Sequence, residues 1–259
     1  MNIIPWRTRR QLLYFSVFAV VVLALIAGLV WYFYPKPTCF DGKKNDSEDG
    51  IDCGGPCTPC LKDIRDLSVS WVRFFKNKEG FYDAAALVDN SNLTAALPVL
   101  KYRLKIYDVN NVAIATREGQ TFINPAGEQQ IIFESNIETG PRLPRYVYIE
   151  FDSASAQDWK YLKKEKSFLS VAQKAFVNFP FPRFSAEIRN DSLFDVKNVL
   201  VTGVLYDETD NAIGVAFTKI DSISTESSQW ANFTWPLPFD KEPASTEVFV
   251  TTNLTKNND

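Results

Sequence analysis

The sequence VLKYRLKIYD, residues 99–108, decides the fold class. Large apolar residues occupy every second position of this stretch, with basic residues between them: Leu100, Tyr102, Leu104 and Ile106 against Lys101, Arg103 and Lys105. A period of two places the two sets on opposite faces of a β-strand, one toward a core and one toward water. The stretch therefore predicts a half-buried strand.

The same alternation recurs along the chain. In Tyr146–Phe151 the residues Val147, Ile149 and Phe151 share one face. Turn-forming sequences separate such runs: DNSN at 89–92, NN at 110–111, NPAG at 124–127 and TGP at 139–141. No long amphipathic helix is evident. Short strands separated by turns at intervals of roughly 8–12 residues predict antiparallel β-sandwiches.

An internal repeat predicts two such sandwiches. FYDAAALVDNSN (81–92) aligns with FPRFSAEIRNDS (181–192), so that Asn90 matches Asn190. Farther on, Tyr107-Asp108 matches Tyr206-Asp207, and both Asp residues are expected to start tight turns. The offset drifts only between 99 and 102 residues, which indicates one copied module with small loop insertions. We predict an all-β chain of tandem immunoglobulin-like sandwiches at 63–152 and 167–255, with a linker at 153–166 and a frayed end at 256–259.

Residues 11–35, QLLYFSVFAVVVLALIAGLVWYFYP, form the one long uncharged apolar run. A bilayer-spanning helix needs about 20 apolar residues. Arg7, Arg9 and Arg10 precede the run, so the positive-inside rule predicts residues 1–10 in the cytoplasm and the remainder outside the cell membrane. The run exceeds the apolar region of a signal peptide and lacks a small-x-small cleavage site, which favours an uncleaved single-pass anchor over a cleaved signal peptide.

Composition narrows the function. The net charge is −3, and the part after the apolar run carries 25 basic and 31 acidic residues, a net charge of −6, which argues against nucleic acid as a partner. The absence of histidine excludes Ser-His-Asp and Cys-His hydrolase arrangements. Carboxylate-pair glycosidase chemistry needs only acids, but nothing in the sequence pairs the candidate acids Asp83, Glu134, Glu150 and Glu187.

Residues 36–62 contain all four cysteines of the chain: Cys39, Cys53, Cys57 and Cys60. Outside the membrane, paired thiols persist, so we predict a neck held by two disulfides. Four cysteines allow three pairings, and the sequence does not choose among them. The segment is too small and polar to fold without cross-links.

Metal binding is the alternative for this neck. Zinc would use the four cysteines, but only Cys57 and Cys60 have CxxC spacing. Calcium would use Asp41, Asn45, Asp49 and Asp52, although the residue order does not match an EF-hand loop. A solvated acidic turn without metal is favoured over both.

The neck resembles a cysteine motif of exported and surface proteins of bacteria, C-x-DG-x-x-N-x-x-E-x-G-x-DCGG-x-C-x-x-C. Its positions are filled here by Cys39, Asp41-Gly42, Asn45, Glu48, Gly50, Asp52-Cys53-Gly54-Gly55, Cys57 and Cys60. This resemblance implies an exported bacterial protein and no particular activity.

A second resemblance concerns the repeat. Val204-Leu205-Tyr206-Asp207, followed by Asn211-Ala212-Ile213-Gly214, is similar to the strand-turn-strand core of the FxLYD family. The Asn90-Ser91-Asn92 turn before a long strand resembles WHy domains. Both families have immunoglobulin- or fibronectin-like sandwiches, which implies the fold and leaves the function open.

These observations predict a membrane-anchored, extracytoplasmic binding or scaffolding protein that is not an enzyme and needs no cofactor. Its partner would be an unidentified protein or envelope component, reached through exposed strand edges or through the loop tips Asn110-Asn111 and Asp210-Asn211. One alternative is an accessory subunit of an envelope complex. A carbohydrate-active enzyme is a second, less favoured alternative.

Overall fold

The computed structural model describes residues 6–33, 38–45, 47–61, 64–125, 129–155, 158–162 and 168–256. The chain divides into two compact units, residues 1–60 and residues 61–259. Parts of several predicted segments lie outside the described residues. They are residues 1–5 of the predicted cytoplasmic segment 1–10, residues 34–35 of the predicted span, residues 36, 37, 46 and 62 of the neck, residues 156, 157 and 163–166 of the predicted linker, and residues 257–259 of the predicted frayed end.

The first unit begins with helix α1, Trp6–Phe33, which buries none of its side chains in the protein. With 28 residues and a rise of about 1.5 Å per residue, α1 is long enough, and apolar enough, to cross a membrane. The helix starts before the predicted span because arginine is a good helix former and continues the helix beyond the apolar run.

The second unit is built from thirteen β-strands in the part of the chain that the structure describes. They are β1 Ser68–Lys78, β2 Phe81–Asp89, β3 Ala95–Tyr107, β4 Ala113–Ile123, β5 Gln130–Glu138, β6 Tyr146–Phe151, β7 Lys160–Tyr161, β8 Leu169–Val177, β9 Arg183–Asn190, β10 Val196–Tyr206, β11 Ala212–Ile223, β12 Ser228–Thr234 and β13 Ser245–Thr251.

The strands form two antiparallel sandwiches with the same topology, which confirms the predicted fold class. In the first sandwich (β1–β7), the sheets have the orders β1-β2-β5 and β4-β3-β6. In the second sandwich (β8–β13), they have the orders β8-β9-β12 and β11-β10-β13. The short strand β7 pairs with the start of β3, so the predicted linker is partly ordered on the first sandwich.

The alternating stretch at residues 99–108 lies in β3, which ends at Tyr107, as predicted. Its residues Leu100, Tyr102, Leu104 and Ile106 are buried in the first sandwich. Two apolar clusters fill that sandwich, one around Leu97 and Ile132 and one around Leu104 and Ile137. A single larger cluster around Phe184, Ile188 and Phe233 fills the second sandwich.

A further apolar cluster joins the two sandwiches. It contains Ala85 and Leu87 of β2 together with Val204 of β10 and Val215 of β11. The sheet β1-β2-β5 therefore packs its outer face on the sheet β11-β10-β13, and β2 is buried on both faces from Ala84 to Val88. This contact between the sandwiches was not predicted from the sequence.

Candidate functional site

The neck contains two disulfides, Cys39–Cys57 and Cys53–Cys60. The prediction of two disulfides is confirmed, and the pairing that the sequence left open is now assigned. The pairing is inconsistent with the zinc alternative, because all four sulfurs are in disulfides and none is left as a thiolate ligand.

Buried and bonded carboxylates hold the neck in shape. Asp52 Oδ1 accepts bonds from the backbone amides of Asp41 and Gly42 at 3.0 and 3.1 Å. Glu48 is buried, and its Oε2 accepts the amides of Asn45 and Asp52 at 3.3 and 3.1 Å. The neck therefore replaces an apolar core with carboxylate–amide bonds between its turns.

The calcium candidates are partly engaged in this network. Asp41 accepts a bond from the Asn45 side chain at 2.8 Å, which lowers the pKa of its carboxyl. The side chain of Asp49 lies against Gly54. Among the described residues, the one group with metal-ligand geometry is Cys39, Glu48 and Cys57, and its sulfurs form the first disulfide. Calcium binding stays a prediction.

Glycines fit the tight places of the neck. Gly54 and Gly55 both have positive φ, and a Cβ on Gly55 would lie 2.3 Å from the Ser47 carbonyl oxygen. A Cβ on Gly50 would lie 2.8 Å from the Cys53 sulfur. These glycines of the motif thus have a structural role in the neck.

Three of the four acids considered for glycosidase chemistry have separate partners. Asp83 accepts the Asn136 amide at 2.8 Å, and Glu134 accepts the Tyr102 hydroxyl at 2.7 Å. Glu150 pairs with Lys105 at 2.8 Å, and Glu187 lies on β9 in the second sandwich. Burial, together with Glu134, raises the pKa of Tyr102. These contacts are those of strand-to-strand packing.

The Tyr-Asp pairs form turns, as predicted. Asp108 Oδ1 accepts the amides of Asn110 and Val112 at 2.9 and 3.0 Å. Asp207 Oδ1 accepts the amides of Thr209 and Asn211 at 2.8 and 2.9 Å. These bonds, with the Asn211 amide contributing most, lower the pKa of Asp207 to about 2.

The two predicted loop tips differ in their surroundings. Asn110-Asn111 is exposed. Asn211 instead accepts a bond from Arg73 of β1 at 2.6 Å, so the second tip is part of the junction between the sandwiches. Nearby, burial and then Glu247 raise the pKa of Tyr206 to about 12.

A groove beside this junction is a candidate binding site. It runs between β1 and β6 and is lined by residues 72–74, 145–148 and Ala212; we call it the flank groove. Its volume is about 370 Å³. Its cations are Arg73 and Arg145, and none of the described residues that line it is acidic. The groove was not predicted from the sequence, because β1 and β6 lie about 70 residues apart along the chain.

The corresponding flank of the second sandwich, between β8 and β13, is bridged by a side chain. There the Lys174 Nζ of β8 donates to the Thr246 carbonyl of β13 at 2.7 Å. This bond bridges the two strands that correspond to β1 and β6. The two copies therefore share a fold but differ at the flank.

Comparisons with known proteins do not identify a family. No protein-family model matches the chain, and no curated protein matches it. The crystal structure of red sea bream transglutaminase is similar at a TM-score of 0.21 and 10% identity, over 73% of this chain and 31% of that one. CBD12 from CALX1.2 is similar at a TM-score of 0.21 and 12% identity, over 70% of this chain and 79% of that one. Likenesses this weak carry no argument about function.

Proposed function

We propose that this protein is a single-pass, membrane-anchored binding or scaffolding protein without catalytic activity, whose sandwiches lie on the extracytoplasmic side. The apolar helix α1 supports an anchor, and three arginines at its start support a cytoplasmic N-terminus. Two disulfides in the neck support an oxidising exterior.

The observation that carries the proposal is the open outer edge of β6. In its sheet, β6 pairs with β3, and no other described strand pairs with it. An unpaired edge presents backbone donors and acceptors, and partner segments bind such edges by adding a strand. The flank groove lies along this edge and supplies side-chain contacts for a partner.

The resemblance to FxLYD domains and to the bacterial cysteine motif is part of the same proposal. The Tyr206-Asp207 turn at the end of β10 and the disulfide neck suit a bacterial surface protein in which the neck separates anchor and sandwiches. The partner would be a protein of the same envelope.

The first test is topology. We expect a protease added to intact cells of the producing organism to digest the sandwiches, with lysis making no difference to the result. Protection until lysis would contradict the extracytoplasmic placement. An added C-terminal tag detected by antibody on unpermeabilised cells gives an independent measurement.

The second test is binding at the edge. A photo-crosslinking phenylalanine analogue placed at Tyr148, which is 53% exposed on β6, should give an adduct of defined mass in native membranes. The matched control is the same analogue at Trp230, which is 49% exposed on β12. Absence of adducts from Tyr148 would contradict binding at the β6 edge.

A further inference from the structure

We propose that the flank groove binds an extended, acidic segment of a partner protein, which pairs with β6 as an added strand. This inference rests on the proposed binding function and specifies the chemistry of the partner. It combines two independent features of the first sandwich: an unpaired strand edge, and two arginines that form no ion pair among the described residues.

The backbone of β6 determines how the added strand would pair. Asp152 donates its amide to the Lys101 carbonyl of β3 at 3.0 Å. Backbone groups alternate in direction along a strand. The amides of Val147 and Ile149, which are out of phase with Asp152, therefore face the open edge. These two amides and their carbonyls are the groups that a partner strand would bind.

Two cations give the groove its charge preference. Arg73 uses one of its donors on the neutral Asn211 oxygen, and the Arg145 guanidinium lies 5.7 Å from the centre of the Tyr146 ring. Among the described residues, no carboxylate forms an ion pair with Arg73 or Arg145. A partner carboxylate at this site would pair with guanidinium groups that have no ion pair among the described residues.

The remaining lining suits an extended peptide. Tyr146 and Tyr148 are 45% and 53% exposed, and their rings lie on the solvent face of β6. Val147 is buried and forms an apolar part of the groove surface. Alternate side chains of an added strand would contact this surface, with acidic residues toward the arginines.

A second copy of this chain is the weaker occupant. Pairing of β6 with β6 from another copy would bring two Arg145 residues into one groove, and like charges at an interface oppose association. The second sandwich is also a weaker site, because Lys174 already donates a hydrogen bond to the Thr246 carbonyl on its edge strand β13.

The test uses the full chain in neutral detergent micelles and three labelled peptides of eight residues, alternating Val with Glu, Gln or Lys. Fluorescence anisotropy should detect binding of the Glu peptide and at least about tenfold weaker binding of the Gln peptide. Binding should weaken as salt rises, because added ions screen the charges. Hydrogen exchange should slow at Val147 and Ile149 when the Glu peptide is bound.

The variant R73Q/R145Q should weaken Glu-peptide binding at least about tenfold. The charge-matched control R183Q/K219Q removes two cations from the second sandwich and should leave binding unchanged. Thermal unfolding checks that both variants fold, and Tyr148→Ala provides a second groove variant that keeps the charge.

Four results would overturn the inference. They are no binding of the Glu peptide, equal binding of the Glu and Gln peptides, binding without protection of β6, and a chain dimer that is lost in R73Q/R145Q. A Tyr148 crosslink to a neutral or basic partner segment would overturn the acidic preference while leaving the proposed binding function intact.

Discussion

At the scale of single residues, two asparagines explain why the repeat conserves its turn. Asn190 is fully buried, and its Nδ2 donates to the carbonyls of Phe194, Ile223 and Ser224. Asn90 makes the corresponding bonds to the carbonyls of Ala95 and Asn124. Each asparagine ties the loop after one strand to the end of another strand in the facing sheet.

Replacing Asn190 with alanine should therefore be costly. The change removes the Nδ2 donor from these three carbonyls and the Oδ1 acceptor from the Ser192 amide. We expect a loss of about 2–4 kcal/mol in the free energy of unfolding. Urea denaturation of the detergent-solubilised chain measures it. Asn110→Ala, at an exposed loop tip, is the control and should change stability by less than about 0.5 kcal/mol. Equal effects of the two changes would contradict the role given to Asn190.

Asp207 should make stability depend on pH in acid. Its pKa is lowered to about 2 in the folded chain, below the value of 3.8 for a free carboxyl. Its stabilising contribution is thus fully present above pH 4 and is lost as pH falls through 2.

The variant Asp207→Asn should lose stability less steeply than the wild type between pH 4 and pH 2. Unfolding free energies measured at several pH values provide the comparison. Asp240→Asn, an exposed carboxylate in the loop before β13, is the control. An unchanged slope in Asp207→Asn would contradict the assigned cause.

At the scale of elements, the conformation of the neck requires glycines as well as the two disulfides. Gly42 and Gly55 both have positive φ, but a Cβ on Gly42 meets nothing within 4 Å, whereas one on Gly55 meets the Ser47 carbonyl. The two positions therefore separate the cost of backbone strain from the cost of a clash.

We expect Gly55→Ala to reduce the fraction of chains with the Cys39–Cys57 and Cys53–Cys60 pairing well below that of Gly42→Ala. Both variants bear the backbone cost of about 1 kcal/mol for a left-handed alanine, and Gly55→Ala adds the clash. Peptide mapping without reduction quantifies the pairing. Identical pairing in both variants would show that the close approach at Gly55 is unimportant.

The sequence predicted elements well where alternation was strong. The contrast between Leu104 and Lys105 assigned β3 to a strand and its inner face to the core. The AAALV run of β2 gave no such contrast, because a strand buried on both faces is apolar throughout. Its second buried face was therefore missed. The disulfide pairing also could not be predicted from the sequence, because it depends on the fold of the neck, which the short neck sequence does not determine.

At the scale of the whole second unit, the two sandwiches form four stacked sheets. Direct bonds supplement the apolar junction: Asn124 of the first sandwich donates to Thr251 and Thr252 of the second at 3.0 and 2.9 Å. We therefore expect the sandwiches to unfold in one transition. The flank groove was not predictable because it forms where this junction meets two strands distant in sequence.

Leu87→Ala tests this coupling. Leu87 is 6% exposed in the junction cluster, and its truncation should cost about 2–4 kcal/mol. Hydrogen exchange should accelerate in both sandwiches. The same substitution at Leu193, which is 85% exposed, should have little effect. Faster exchange confined to β1–β7 would contradict a shared transition.

The Cys39–Cys57 disulfide has a consequence for proteolysis. Cys53 lies inside the loop closed by Cys39 and Cys57, and Cys60 lies outside it. Lys43 and Lys44 are exposed within that loop. A trypsin-like cut at either lysine would break the backbone yet leave both fragments covalently joined, so a nicked molecule would shed its folded part only after reduction.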